Sequence, residues 1–223
     1  WTRSRSSRRL QPAASVVLPV SKSGTTAETD ALLAVFWERM TAALGDHTGG
    51  RFVAITEPGT ALARLAARHG YRAVLSHPVD VGGRFSALSV VGMLPALWLG
   101  LDADALLADG ARALEGVDDR HPSVELATLL GAVAGEGWGR LAFCASPALA
   151  PLGAWAEQLV AESTGKDGRG IVPVLVAPPE PSRAWPGTLY LSARFEREEV
   201  AELDGALDAL ARREPIDVEA TVE

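Results

Sequence analysis

The sequence feature that most limits the possible folds is a short apolar strand that leads into a hydroxyl-rich turn and then into a helix. Residues 16–20 are apolar and mostly β-branched, residues 21–29 are rich in Ser and Thr, and apolar side chains then recur at 33, 36, 40 and 44. That spacing places them on one stripe of a helix. A strand followed by such a crossover helix is typical of a parallel sheet covered by helices.

The same alternation recurs along the chain. It predicts strands at 16–20, 52–56, 73–76, 141–144, 171–176, 189–193 and 216–222, and helices at 28–44, 60–69, 152–161 and 200–210. Three further helical patterns, at 87–99, 104–114 and 123–134, form a block between the two alternating parts, and prolines at 178, 179, 181 and 186 mark a loop. We therefore predict an α/β fold of three-layer parallel sheets flanked by helices, with two sheet units joined by a helical block.

Composition excludes several classes of function. The net charge of −7 argues against nucleic acid as a main partner. The longest apolar stretch, residues 87–101, is shorter than the roughly 20 residues that a membrane-spanning helix needs, so no membrane partner is expected. The Arg-rich residues 1–9 lack the apolar segment of a secretory signal and indicate a solvated tail. A single cysteine, Cys144, suits a reducing cytoplasm and excludes an internal disulfide.

The hydroxyl-rich turn is a candidate anion site. Unpaired backbone N–H groups and the helix dipole favour an anion where a strand turns into a helix. Hydrogen-bond donors come from five side chains, Ser21, Lys22, Ser23, Thr26 and Thr29, and a phosphate group is the expected guest. The competing explanation is a capping box made by the Thr at 25 and the Glu at 28, which would need no ligand. The two explanations are compatible if Thr25 and Glu28 cap the helix while the other side chains face the phosphate.

Glu162 is a candidate general base. Gln158 and Glu162 are four residues apart on a predicted helix and therefore point the same way. Trp155 and Leu159 share a stripe with Glu162, so we expect its carboxylate to be partly desolvated at the end of an apolar stripe, as suits a general base. Spacing alone favours the alternative, an ordinary surface glutamate near the polar loop at 165–169, because most glutamates are exposed.

Arg84 is a candidate oxyanion ligand. It follows the adjacent glycines Gly82 and Gly83, which permit backbone shapes closed to other residues. An arginine presented in this way can direct its guanidinium at an oxyanion, although a pair with Asp80 is an equally good explanation. The four histidines and Cys144 show no metal-ligand spacing, and no nucleotide fingerprint is present, so neither a metal nor a cofactor is expected.

Together, the motifs at 21–29, 82–86 and 158–166 resemble glucose-6-phosphate isomerase, and most closely the isomerase part of bifunctional transaldolase/phosphoglucose isomerase proteins. The resemblance implies two sugar-isomerase domains: residues 16–115 as the C-terminal part of the first and residues 116–223 as an incomplete second, with residues 1–15 an unmatched, disordered tail. It also implies a cytoplasmic homodimer that interconverts glucose 6-phosphate and fructose 6-phosphate.

The resemblance assigns a role to each candidate residue. It implies that Ser21, Lys22, Ser23, Thr26 and Thr29 lie in the sugar-phosphate loop. Gly83 and Arg84 would lie beside the enediolate, which the arginine stabilises. Glu162 would move the proton between C1 and C2 of the sugar, with Gln158 near the substrate. No metal or redox cofactor is required.

The sequence also departs from the family. No segment here matches the upstream Ser loop that shares the phosphate, no His follows His121, and no Lys follows Lys166. We therefore expect the chain to be the middle of a longer isomerase. Three hypotheses remain open: an active isomerase domain, a sugar-phosphate-binding module without catalysis, and an inactive fragment that folds only on dimerisation.

Overall fold

The computed structural model describes residues 11–135, 137, 139–176, 185–195 and 217–222. The chain divides into two compact units, Trp1–Glu115 and Gly116–Glu223. Three predicted features lie outside the described residues: the start of the N-terminal tail, the prolines at 178–181 and the helix at 200–210. Residues 12–14, within the expected tail, form one turn of 3-10 helix.

The first unit contains the parallel strands β1 (Val53–Thr56) and β2 (Ala73–Ser76), at the predicted positions. The predicted strand at 16–20 also lies parallel to β1, but it pairs only through the bridges Val17 to Phe52 and Val20 to Ile55. The carbonyl oxygens of Val17 and Pro19 accept hydrogen bonds from the backbone amides of Val53 and Ile55 in β1, at 3.0 and 2.9 Å. Because Pro19 has no N–H to donate in return, the ladder is interrupted there and a continuous strand does not form.

Two helices cover this sheet. Helix α1 (Ala27–Leu44) buries Leu33 and Met40, which confirms the predicted stripe. Helix α2 (Ala61–Arg68) is capped by Thr60, whose hydroxyl accepts a hydrogen bond from the amide of Ala63 at 3.2 Å. Both helices pack their apolar faces on the same core as Phe52 and Ala54 of the sheet.

The predicted helical block begins in the first unit with α3 (Val90–Trp98) and α4 (Ala103–Arg112). Helix α3 starts three residues later than predicted, because Ser89 caps it by accepting a hydrogen bond from the amide of Val91 at 3.2 Å. Asp102 caps α4 in the same way, with a bond of 3.0 Å from the amide of Ala105. The third predicted helix of the block is α5 (Pro122–Gly135), in the second unit.

The second unit contains a four-stranded, all-parallel sheet. Its elements are β3 (Arg140–Ala145), α6 (Ala150–Thr164), β4 (Val172–Leu175), β5 (Thr188–Phe195) and β6 (Asp217–Val222). The strand order is β4-β3-β5-β6. All four predicted strands of this unit are confirmed, and parallel sheets flanked by helices confirm the predicted fold class.

One face of this sheet forms the core of the second unit. Side chains of β3 and β5 are buried there, and leucines of α5 pack against them. Helix α6 approaches the sheet at Gly153, where an added Cβ would lie 2.9 Å from Cδ2 of Leu175. Among the described residues, none of the helices is long and apolar enough to cross a membrane.

Candidate functional site

The hydroxyl-rich turn lies where the 17–20 segment ends, beside the carboxyl end of β1. The backbone amide of Ser21 donates to the carbonyl of Ile55 at 3.0 Å, which continues the parallel pairing into the turn. The Ser21 hydroxyl, which is buried, accepts a hydrogen bond from the amide of Gly24 at 3.1 Å and lies 2.9 Å from the hydroxyl of Thr26. Ser21 therefore fixes the shape of the turn from within.

The prediction of a capping box at Thr25 and Glu28 is wrong. The residue that precedes α1 is Thr26, and no side chain caps the helix. The Thr26 hydroxyl is bonded to Ser21 instead, and the Thr25 hydroxyl lies 3.0 Å from that of Ser23. Because the hydroxyls pair with one another, the first N–H groups of α1 are left without a side-chain cap, as an anion site at a helix start requires.

The turn is anchored to β1 and α2 as well. The Lys22 carbonyl accepts hydrogen bonds from the Glu57 amide at 3.2 Å and from the Thr56 hydroxyl at 3.4 Å. That hydroxyl also lies 2.8 Å from the hydroxyl of Thr60, the residue that caps α2. Gly24 has φ +67° and lies so close to α2 that an added Cβ would be 2.8 Å from Cβ of Thr60. These contacts hold the turn in one conformation.

The Lys22 ammonium connects the turn to the loop that contains Arg84. Its Nζ donates to the carbonyl oxygens of Val79 at 3.1 Å and Val81 at 2.9 Å, and it lies 3.4 Å from Oε1 of Glu57. The loop continues into a single 3-10 turn, Gly83–Phe85, in which the half-buried Arg84 places its Cζ 5.6 Å from the centroid of the Phe85 ring.

Within the first unit, the structure therefore brings the turn and the Arg84 loop together. Ser23 and Thr26 are exposed, Gly83 is exposed, and Thr29 is half-buried in the first turn of α1. The sequence did not indicate Thr56 and Glu57 as part of this arrangement. Their position at the carboxyl end of a parallel strand, where ligands of such sheets bind, was the signal that could have identified them.

In the second unit, Gln158 and Glu162 both lie on α6, so their four-residue spacing places them on one face of that helix. Glu162, Gln158 and Trp155 are all exposed, which agrees with the alternative of a surface glutamate and not with partial desolvation by an apolar stripe. Helix α6 packs through Gly153 and Val160 instead, since a residue without a side chain allows the closest approach to the sheet. Of the predicted stripe, Trp155 and Glu162 therefore face solvent, and Leu159 is half-buried.

In the part of the chain that the structure describes, no cluster of three or more His, Cys, Asp or Glu side chains is arranged to hold a metal ion. The charged side chains at the turn are Lys22, which pairs with Glu57, and the exposed carboxylates of Glu28 and Asp30 in the first turn of α1. Polar contact with a ligand at the turn would therefore come mainly from hydroxyl and backbone N–H donors.

Comparison with known proteins connects these features to one group of enzymes. A glucose-6-phosphate isomerase from Rubrobacter xylanophilus is 41% identical over 171 residues, which cover 74% of this chain and 39% of the relative. One from Thermus thermophilus is 47% identical over 109 residues, 48% of this chain and 26% of the relative. No family model matches the sequence. The chain thus spans well under half the length of these relatives.

Two solved structures share the fold. A hypothetical protein from Thermus thermophilus superposes with a TM-score of 0.80 at 31% identity, over 92% of this chain and 59% of that one. A glucose-6-phosphate isomerase from Chlamydia trachomatis superposes with a TM-score of 0.66 at 22% identity, over 92% of this chain and 47% of the other. At that identity the second comparison supports the fold alone.

Proposed function

Because this chain is related to the glucose-6-phosphate isomerases and spans part of their length, we propose that it binds a hexose 6-phosphate and contributes to the interconversion of glucose 6-phosphate and fructose 6-phosphate. On this proposal, residues 16–115 are the C-terminal part of a first sugar-isomerase domain and residues 116–223 belong to a second. The observation that best supports the proposal is the hydroxyl-rich turn at the uncapped start of α1.

The turn suits a phosphate group. The hydroxyls of Ser23 and Thr26 are exposed, and Thr29 lies in the first turn of α1. Hydroxyls and backbone N–H groups donate well to phosphate oxygens, and the helix dipole adds a favourable potential. Because Ser21 already fixes the turn, little conformational entropy is lost when the ligand binds. A phosphate held here would orient the sugar for chemistry at C1 and C2.

The remaining roles follow from the chemistry of aldose–ketose isomerisation. Glu162 would remove the proton from one carbon and return it to the other, and Gln158 would hydrogen-bond the substrate. The Arg84 guanidinium would stabilise the negative charge that develops on oxygen in the enediolate, with the exposed backbone of Gly83 beside the sugar. When the aldose becomes the ketose, one proton moves from C2 to C1 and another from the C2 hydroxyl to the C1 oxygen, with no net oxidation. No redox cofactor is therefore needed, and Arg84 takes the part that a metal ion would otherwise play at the oxygen.

Turnover tests this assignment. We expect the purified chain to convert fructose 6-phosphate to glucose 6-phosphate, and Glu162→Gln to lower the rate by about 10²–10⁴-fold, as removal of a general base does. Glu157→Gln is a matched control. Glu157 is also an exposed glutamate of α6, but it is adjacent to Gln158 in sequence and therefore does not share the face of Gln158 and Glu162. Equal rates in the two variants would refute the role of Glu162.

A binding module without turnover is the second candidate. It is favoured by the contrast between a turn that is fixed by its own hydrogen bonds and a Gln158–Glu162 face that is exposed to solvent. Calorimetry with fructose 6-phosphate distinguishes the two candidates: binding without turnover supports the module, and absence of binding contradicts both.

We also propose that the protein acts as a cytoplasmic homodimer. Support comes from its relationship to the isomerases and from the exposed apolar side chains of α3 and α4, which include Leu97, Trp98 and Leu107. An apolar surface of this kind is common at protein interfaces. Sedimentation equilibrium should give twice the mass of one chain, and a monomer at all concentrations would contradict the dimer.

A further inference from the structure

The Lys22 ammonium already has hydrogen-bond partners within the protein. We infer that Lys22 is a positioning residue that fixes the Arg84 loop and does not bind the phosphate. Its Nζ contacts the carbonyl oxygens of Val79 and Val81 and the carboxylate of Glu57. The clamp itself is visible in the contacts, while its consequence for the ligand rests on the proposed function.

The hydrogen-bonding capacity of Lys22 supports this inference. A lysine ammonium has three N–H donors and no acceptor. Two of the donors are used by carbonyl oxygens at 3.1 and 2.9 Å, and the third faces a carboxylate oxygen at 3.4 Å. A phosphate oxygen would have to displace one of these partners. Each hydroxyl pair of the turn, Ser21 with Thr26 and Ser23 with Thr25, uses only one of its two O–H groups, so the other can donate to a phosphate without such a loss.

The charge of Lys22 is also largely compensated. The Glu57 carboxylate lies beside it, with about a quarter of its side chain exposed and a third of the Lys22 side chain exposed. An ion pair attracts an anion much less than an isolated ammonium does. Lys22 therefore adds little to the attraction of an anion, and the N–H groups at the start of α1, beside the carboxylates of Glu28 and Asp30, do not depend on it.

Among the described residues, the backbone hydrogen bonds in the middle of the loop are local, as from the Val81 amide to the carbonyl of Pro78 at 3.3 Å, and Lys22 ties this stretch to the turn. Before the loop, the His77 amide donates to the carbonyl of Thr56 at 3.0 Å, and after it the Ser86 hydroxyl donates to the carbonyl of Gly83 at 2.6 Å. Between these anchors, Val79 is 67% exposed and contributes little buried apolar surface. Lys22 bonds to two carbonyls in this stretch, the second only three residues before Arg84.

Hydrogen exchange tests the clamp directly. In Lys22→Met, we expect the amides of residues 79–85 to exchange roughly tenfold faster or more, because charge-assisted hydrogen bonds that close the loop are lost. The sequence contains only two lysines, Lys22 and Lys166, so Lys166→Met is the matched control and should leave this exchange unchanged. Unchanged exchange in Lys22→Met would overturn the inference.

Binding measurements then distinguish the two possible roles of Lys22, holding the loop and contacting the phosphate. With inorganic phosphate as the probe, Lys22→Met should bind within about threefold of the unmutated chain, since the hydroxyl and backbone donors remain. A hydroxamate that mimics the enediolate of a phosphorylated sugar should bind at least about tenfold more weakly, because Arg84 is no longer held in place. Lys22→Arg, which retains the charge and the donors, should recover part of this loss.

The opposite pattern overturns the inference: phosphate affinity lost in Lys22→Met while exchange at 79–85 stays normal. If Lys22→Met does not fold, the unmutated chain labelled uniformly with ¹⁵N serves instead. Addition of inorganic phosphate should shift the amides of residues 21–29 but leave the Lys22 Nζ signal in place, and a shift of that signal overturns the inference. If the unmutated chain binds neither probe, the proposed function fails, and the exchange experiment still decides whether Lys22 clamps the loop.

Discussion

Replacement of Gly24 by alanine should destabilise the first unit by deforming the turn. Gly24 has φ +67°, in the left-handed region that side chains disfavour. An added Cβ would lie 2.8 Å from Cβ of Thr60 and 3.0 Å from the backbone nitrogen of Leu62. Both contacts are at the start of α2, where the backbone is fixed by the Thr60 cap, so the turn itself must move.

The size of the effect follows from two separate costs. A left-handed backbone with a side chain costs about 1–2 kcal/mol. A methyl group forced into a packed site costs about 1–3 kcal/mol more. Gly59 provides the matched control, because its φ is +74° and an added Cβ would meet no atom within 4 Å. Gly59→Ala should therefore incur only the first cost, and the difference between the variants, about 1–3 kcal/mol, measures the contact between the turn and α2.

Native-state hydrogen exchange measured by mass spectrometry is the appropriate assay, because peptides from β1 and α2 report on the first unit alone. We expect protection in both variants to fall, and to fall further in Gly24→Ala than in Gly59→Ala. Affinity for fructose 6-phosphate should fall in Gly24→Ala only. Equal losses of protection would show that the turn does not pack against α2 as described, and would refute the reasoning.

Two further predictions concern buried hydroxyls. The Tyr71 hydroxyl is buried and has no hydrogen-bond partner among the residues that the structure describes, and desolvation raises its pKa from 10.0 to about 12. The folded state therefore holds this proton to higher pH than the unfolded state does, so the stabilisation is complete below pH 10 and is lost as the pH rises towards 12. Tyr71→Phe should unfold no more easily at neutral pH and should show a smaller alkaline loss of stability in urea titrations; an unchanged alkaline loss would contradict this. Ser21→Ala should lower the free energy of unfolding by roughly 1–3 kcal/mol, since a buried hydroxyl with two partners is removed, whereas the exposed Ser23→Ala should change it by less than about 0.5 kcal/mol. Similar losses in the two variants would show that Ser21 does not organise the turn.

Local signals were sufficient to predict most of the fold. The strands β1 and β2 begin and end within a residue of the predicted positions, because short β-branched runs bounded by Gly and Pro are specified by neighbouring residues. The exception in this unit is the strand at 16–20. Its apolar pattern is that of a strand, but Pro19 removes one donor from the ladder.

The site was less predictable because its contacts either depend on the folded shape of the turn or join residues that are distant in sequence. A Thr-x-x-Glu spacing predicts a capping box, but Thr25 bonds to Ser23 and Thr26 bonds to Ser21, choices that depend on the folded turn. The two carbonyl partners of Lys22 lie 57 and 59 residues away along the chain. Residue type indicated that Lys22 belongs to the turn, but only the structure shows which atoms its ammonium contacts.

The face of α6 illustrates a different limit. Trp155, Leu159 and Glu162 have helical spacing, and a wide apolar side chain normally marks the buried face. Here the sheet is approached at Gly153, because the absence of a side chain lets the helix come within contact distance of Leu175. A small residue on the opposite side of a helix can therefore decide its orientation, and hydrophobic periodicity alone does not detect it.

Binding and turnover should depend on different residues. The donors proposed for the phosphate all lie in the turn and the first turn of α1, and hydrogen bonds among Ser21, Gly24 and Thr26 hold that turn. Glu162→Gln should therefore bind fructose 6-phosphate within about twofold of the unmutated chain, because the substitution removes a charge but no phosphate contact. Ser21→Ala should bind at least about tenfold more weakly, since the turn loses its internal hydrogen bonds. Calorimetry on the two variants under identical conditions decides the matter: an equal loss of affinity in both would mean that the carboxylate and the turn act as one binding unit, and the division of roles proposed for them would be wrong.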